Sequence, residues 1–119
     1  MHKRVSALLG ILLLCASCQK FAEGRQIFHD LLALRDQIAT RFNEKVVDVN
    51  ISGGDRLTVK FINSPLRSAR REAKQQRADD VSAFVKSHYQ HHVSVVSTQF
   101  VSKSGPVAVN ETFVGQPQP

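Results

Sequence analysis

VDVNISGGDRLTVKF, residues 47–61, alternates apolar and polar side chains on either side of a glycine pair. Val47, Val49 and Ile51 stand in phase with Asp48 and Asn50 between them, and Leu57, Val59 and Phe61 repeat the pattern around Thr58 and Lys60. Successive side chains of a strand point to opposite faces, so each run has one apolar and one polar face. Gly53 and Gly54 permit the positive φ that a tight hairpin demands. The stretch therefore predicts a β-hairpin covered on one face only. It is not a phosphate-binding loop, because such a cradle converges at a helix N-terminus in a longer Gly-rich pattern, and this loop leads into a strand.

Upstream the period changes. Ile27, Leu31, Leu34, Ile38 and Phe42 recur at helical spacing, and at about 100° per residue they make one stripe, widened by Phe28 and Leu32. Arg25, Gln26, Asp36, Gln37 and Arg41 occupy the other sides, so an amphipathic helix is predicted over residues 23–43. Downstream, Asn63-Ser64-Pro65 predicts the start of a second helix, with Ser64 as N-cap and Pro65 at the first helical position. That helix reaches about Tyr89, with Val81, Phe84, Val85 and His88 on its apolar side. Its first half carries only Leu66, Ala69 and Ala73 among many charges. A helix of roughly 24 residues spans about 36 Å, well beyond the ~20 Å of an ordinary strand. Its N-terminal part is therefore expected to overhang the sheet, or the helix to break near Asp79. Residues 92–101 and 107–114 supply two further strands about a turn at Lys103-Ser-Gly-Pro106.

The order α-β-β-α-β-β predicts an α+β fold with two helices packed on one face of a four-stranded antiparallel sheet. Placing the third strand beside the first (order 2-1-3-4) keeps every neighbour antiparallel.

The chain starts differently. His2, Lys3 and Arg4 precede an uncharged apolar run over residues 5–16, and Gln19, Lys20, Glu23 and Arg25 follow it. A short basic start, about 7–15 apolar residues and then small residues make a secretory leader. A membrane-spanning helix would need roughly 20 apolar residues. The stretch Leu14-Cys15-Ala16-Ser17-Cys18 resembles the lipobox of bacterial lipoproteins, with Ala16 and Ser17 as the small pair and Cys15 where leucine is commonest. The resemblance covers only the first eighteen or so residues. It implies cleavage before Cys18, diacylglycerol on the Cys18 thiol and an acyl chain such as palmitate on its amine. Gln19, in a position where aspartate commonly signals inner-membrane retention in that class, leans the expected location towards an outer membrane.

An alternative cut after Ala22-Glu23-Gly24 would release a soluble, secreted protein beginning at Arg25. A Cys15–Cys18 disulfide is excluded if the first cysteine departs with the leader. A lone C-x-x-C lacks the two further ligands that zinc needs. The expected organisation is a leader over 1–17, a lipidated N-terminus and short tether over 18–22, one α+β domain over 23–114 and a disordered tail over 115–119. The full chain of 119 residues has a formal net charge of +6, and loss of Lys3 and Arg4 with the leader lowers it by two. About 100 residues suit a single core.

Among Arg67, Arg70, Arg71, Lys74 and Arg77, set against Glu72, the trio Arg67, Arg71 and Lys74 would share one side of a continuous helix. Such a strip attracts anionic lipid head groups or acidic polymers of an envelope. The rival reading is a solvated helix face whose long stems cover the sheet edge. Nucleic acid is disfavoured by the export leader and by the lack of interleaved aromatics for stacking. His88, His91 and His92 form H-x-x-H-H at the end of the second helix, a metal site only if a carboxylate joins them, and otherwise a helix-end cluster favoured by the dipole when protonated. No serine or cysteine sits in a recognised nucleophile motif. Asp79 and Asp80 point about 100° apart on a helix, unlike an acid–base pair. The expectation is a membrane-tethered interaction or assembly module with no cofactor and no catalytic role. The alternative is a secreted small enzyme or metal-binding protein with an unrecognised site.

Overall fold

The computed structural model describes residues 2–116, with side chains from Ala22 onward. Helix α1 spans His2–Phe42, β1 Val47–Ser52 and β2 Arg56–Ile62; a 3₁₀ turn follows at Pro65–Ser68, then α2 Arg71–His88, β3 Val95–Ser104 and β4 Val107–Val114. The chain divides into two compact units, Met1–Asp30 and Leu31–Pro119. The first unit is helical and begins far upstream of the predicted helix start. Cys18 and the Ala16-Ser17 pair lie outside the described side chains. Within its described part, Gln26 donates to Asp30 one turn on at 2.9 Å, while Ile27 and Phe28 are 37% and 61% exposed. Among the described residues no helix is long and apolar enough to cross a membrane.

The second unit is an α+β fold whose sheet is mixed. Its order is β1-β2-β3-β4, with β1/β2 and β3/β4 antiparallel and β2/β3 parallel. The fully antiparallel sheet and the 2-1-3-4 order are corrected by this pairing. The physical reason lies in β2, where Leu57, Val59 and Phe61 are fully buried and so need a neighbour on each side. The return through α2 lets β3 run beside β2 in the same direction, as a helical crossover does for parallel neighbours. Strand β1, with Asp48 and Asn50 exposed, stays at one edge, and β4 takes the other.

The helix-facing side of the sheet forms rows across the strands. Val47, Phe61 and Phe100 stand in register in one, and Val59, Thr98 and Phe113 in the next. Leu34 and Ile38 of α1 and Ala78, Val81 and Val85 of α2 complete the core over them. Phe42 joins the layers, with its ring edge-on to Phe61 at 6.3 Å and to Phe84 at 5.9 Å. Of the predicted stripe on α1, only the part from Leu31 onward reaches this core.

Helix α1 stops at Asn43, whose φ of 53° is left-handed. The Glu44 amide bonds the Ala39 carbonyl and the Asn43 amide the Thr40 carbonyl, the paired bonds of a Schellman ending. The hairpin between β1 and β2 turns through Gly53 and Gly54 at φ 63° and 85°, as their lack of a Cβ allows.

The second helix is not continuous. Ser64 caps Pro65–Ser68 by accepting from the Leu66 amide at 3.1 Å, but that segment is only a 3₁₀ turn, and Ala69 and Arg70 are extended. The break thus falls at residues 69–70, not near Asp79, which sits inside α2. Ser64 is held by Glu44 through its hydroxyl, and the Arg67 guanidinium ties the Asn63 and Ser64 carbonyls, so the turn is fixed to the sheet end before α2 begins.

Candidate functional site

The break disperses the basic strip. Arg67 belongs to the 3₁₀ turn and Arg71 opens α2, so the two do not share a helix side. Lys74 is buried, with its side chain 6% exposed and its ammonium 2.6 Å from Glu111 of β4. A buried ammonium carrying its own counter-ion is not a free surface charge. The trio Arg67, Arg71 and Lys74 is therefore corrected as a single exposed surface.

His88 remains in the last turn of α2. Its ring stacks on Phe84 with centroids 3.9 Å apart, and its Nδ1 lies 2.9 Å from the Phe84 carbonyl and 2.8 Å from the Ser87 hydroxyl. His91 instead meets the Tyr89 ring edge-on at 5.0 Å. Among the described residues no group of His, Cys, Asp or Glu has the geometry to hold a metal. The two adjacent aspartates have separate partners: Asp79 accepts from Gln75 and from the Gln116 amide, and Asp80 accepts from Gln76. Gly115 and Gln116, the first residues of the expected tail, are thus tied to α2 and to Val96 of β3.

One polar node was not visible in the sequence. The buried Glu44 carboxylate accepts from Ser64 Oγ at 2.7 Å and from Arg77 Nη1 at 2.9 Å. The Arg77 guanidinium lies over the rings of Phe42 and Phe61, 5.0 and 5.3 Å from their centroids. This node joins the loop after α1, the 3₁₀ turn and α2. Nothing short of the tertiary fold brings residues 44, 64 and 77 together, so local pattern carries no signal for it.

Surface features open to a partner among the described residues include a groove and a strand edge. A shallow groove of about 520 Å³ runs between α1 and α2, lined by Asp36, Gln37, Thr40, Arg41, Phe84 and His88. The other is the free edge of β4. Val107, Val109 and Phe113 share one face, but of the three only Phe113 is buried, leaving Val107 and Val109 61% and 58% exposed. The valines share the helix-facing side of β4 with Glu111, whose partner Lys74 lies in the first turn of α2. Lys103 of β3 pairs with Ala108 and its amide bonds the Asn63 side chain, whose backbone carbonyl holds Arg67. Arg70 and Arg71 follow, both exposed.

No family model, no curated protein and no solved structure matches this chain. Geometry and sequence therefore carry the functional argument alone.

Proposed function

We propose that this protein is a small lipid-tethered module of a bacterial envelope, attached through Cys18 and acting by binding a partner through its α+β unit. The observation that carries the reading is the lipobox-like Leu14–Cys18 run together with where the core starts. Among the described residues the core cluster draws on α1 from Leu31 onward, which fits a tether leading from Cys18 to the folded unit. The buried charges Glu44 and Lys74 and the half-buried Arg77 support a binding role over a catalytic one, since each is engaged in a pair that fastens one element to another.

The test is Cys18→Ser in the full chain, expressed in a bacterium fed a labelled fatty acid. Labelling and membrane partition of the wild type, both lost in the variant, are the expected result. Unchanged labelling of the variant would overturn attachment through Cys18, and a mature wild-type mass that begins at Arg25 without lipid would replace the tethered reading with the secreted one.

A further inference from the structure

The two edges of the sheet are treated differently. Edge strands present a row of unpaired amides and carbonyls, and proteins blunt them with short length, outward charges, proline or bulges. Strand β1 is short, six residues, with Asp48 exposed. Strand β4 runs for eight residues, VAVNETFV, without lysine, arginine or proline. Its one ionised side chain, Glu111, is bound by Lys74. The edge of β4 is long, apolar and free of uncompensated charge.

Its surroundings are basic. Helix α2 and strand β4 run the same way: Lys74 meets Glu111, and one to two turns later Ala78 and Ser82 lie against Gly115. At about 1.5 Å per helical residue and about 3.3 Å per strand residue, the turn before Lys74 comes level with Val109. That turn holds Arg70 and Arg71, while Lys103 stands opposite Ala108 at the start of β4, on the other face of the sheet. None of Arg70, Arg71 and Lys103 has an ion pair among the described residues. Glu72 is the acidic residue in the first turn of α2.

We propose that the β4 edge receives an extended, acidic segment of a partner protein as a fifth strand, whose helix-side carboxylates meet Arg70 and Arg71, with Arg67 behind them. Backbone pairing supplies affinity in strand addition and side-chain sites supply selectivity. Here the backbone row and the Val107–Val109 shelf lie along β4, with Arg70 and Arg71 on the helix side of the sheet and Lys103 on the opposite face. A second copy of this chain fits poorly, because it brings the same cations and its own β4 offers only Glu111, already held by Lys74. A lipid surface would meet the cations but leave the β4 amides and carbonyls unpaired. The inference rests on the protein being a binding module and not on its lipid, so the two are tested separately.

The experiment uses the full chain with Cys18→Ser in zwitterionic detergent, titrated with a fluorescent ten-residue peptide alternating valine and glutamate. Expected are saturable binding, slowed hydrogen exchange confined to β4 amides, and no binding of the matching valine–lysine peptide. Val109→Glu, at an exposed position, should weaken binding at least tenfold. Arg70→Gln with Arg71→Gln should weaken it about fivefold and flatten its salt dependence, with the exchange pattern of the free protein unchanged in both variants. No binding of the acidic peptide, equal binding of the lysine peptide, or binding without protection of β4 overturns the proposal. So does a dimer in sedimentation that protects β4 without peptide, which would assign the edge to a second copy. Anionic vesicles that bind wild type and Val109→Glu alike and displace the peptide would assign the cations to a membrane, again overturning it.

Discussion

Gly115 lies so close to Ser82 that a Cβ on the glycine would sit 2.4 Å from the Ser82 Cβ, and 2.9 Å from the Ala78 carbonyl oxygen. The chain leaving β4 is drawn against the side of α2 at this point, and its Gly115 amide bonds Val96. Gly115→Ala should cost about 1–3 kcal/mol, the usual cost of overpacking where rigid backbone must shift. Urea denaturation followed by circular dichroism measures it, and an unchanged midpoint would show that the segment is not seated on α2.

Thr98 is fully buried between Val59 and Phe113, and its hydroxyl has no hydrogen-bond partner among the described residues. A buried hydroxyl without a partner forfeits its hydration for nothing in return. Thr98→Val keeps the branched shape and should raise stability by about 1 kcal/mol. A fall in the denaturation midpoint would mean that the hydroxyl is bonded.

The pair Lys74–Glu111 is lopsided, with side chains 6% and 49% exposed. Removing the carboxylate strands a buried ammonium, while removing the ammonium leaves a carboxylate that water can reach. Glu111→Gln should therefore cost more than Lys74→Met, about 2 kcal/mol against under about 1 kcal/mol, after discounting for solvent at Glu111. Equal costs would argue that the two side chains are not coupled. Any variant that replaces Arg67, Arg71 and Lys74 together mixes this internal pair with surface charge.

Leu34→Ala should cost on the order of 2–5 kcal/mol, since Leu34 is 2% exposed within the core and the site cannot fully collapse. Ile27→Ala, on the same predicted stripe but 37% exposed, should stay within about 0.5–1 kcal/mol, near the range of surface substitutions. Comparable losses at both positions would move the start of the core upstream of Leu31.

The contrast between Ile27 and Leu34 also marks what periodicity can reveal. It reports which residues could share a face, and so exposed the hairpin, both helices and the α+β class. It does not report where along a stripe the partner ends, nor that Val107 and Val109 stay exposed. Strand order escaped for a related reason: full burial of Leu57, Val59 and Phe61 demands two neighbours, but the local pattern does not say which strand provides the second. Lys74 was misread because a lysine among arginines resembles a solvated face, and its partner Glu111 lies 37 residues downstream. The helix break was hidden because Ser64-Pro65 starts a 3₁₀ turn as readily as an α-helix, and the Arg67 bonds that fix it depend on the turn already being formed.

The parallel seam between β2 and β3 bears on how the chain must be made. The ladder opens where Asp55 and Ser94 meet across 39 residues, with all of α2 between them. A chain emerging N-terminal end first can close the β1–β2 hairpin at once, but Val59 and Phe61 then sit on an open edge until β3 arrives. Such contacts, remote in sequence, form late and leave apolar strand edges open to other chains in the meantime. A ribosome stalled before Val95, or a protease cutting there, would release a fragment with its central strand unguarded. For this protein the vulnerable moment is the interval in which α2 exists and β3 does not.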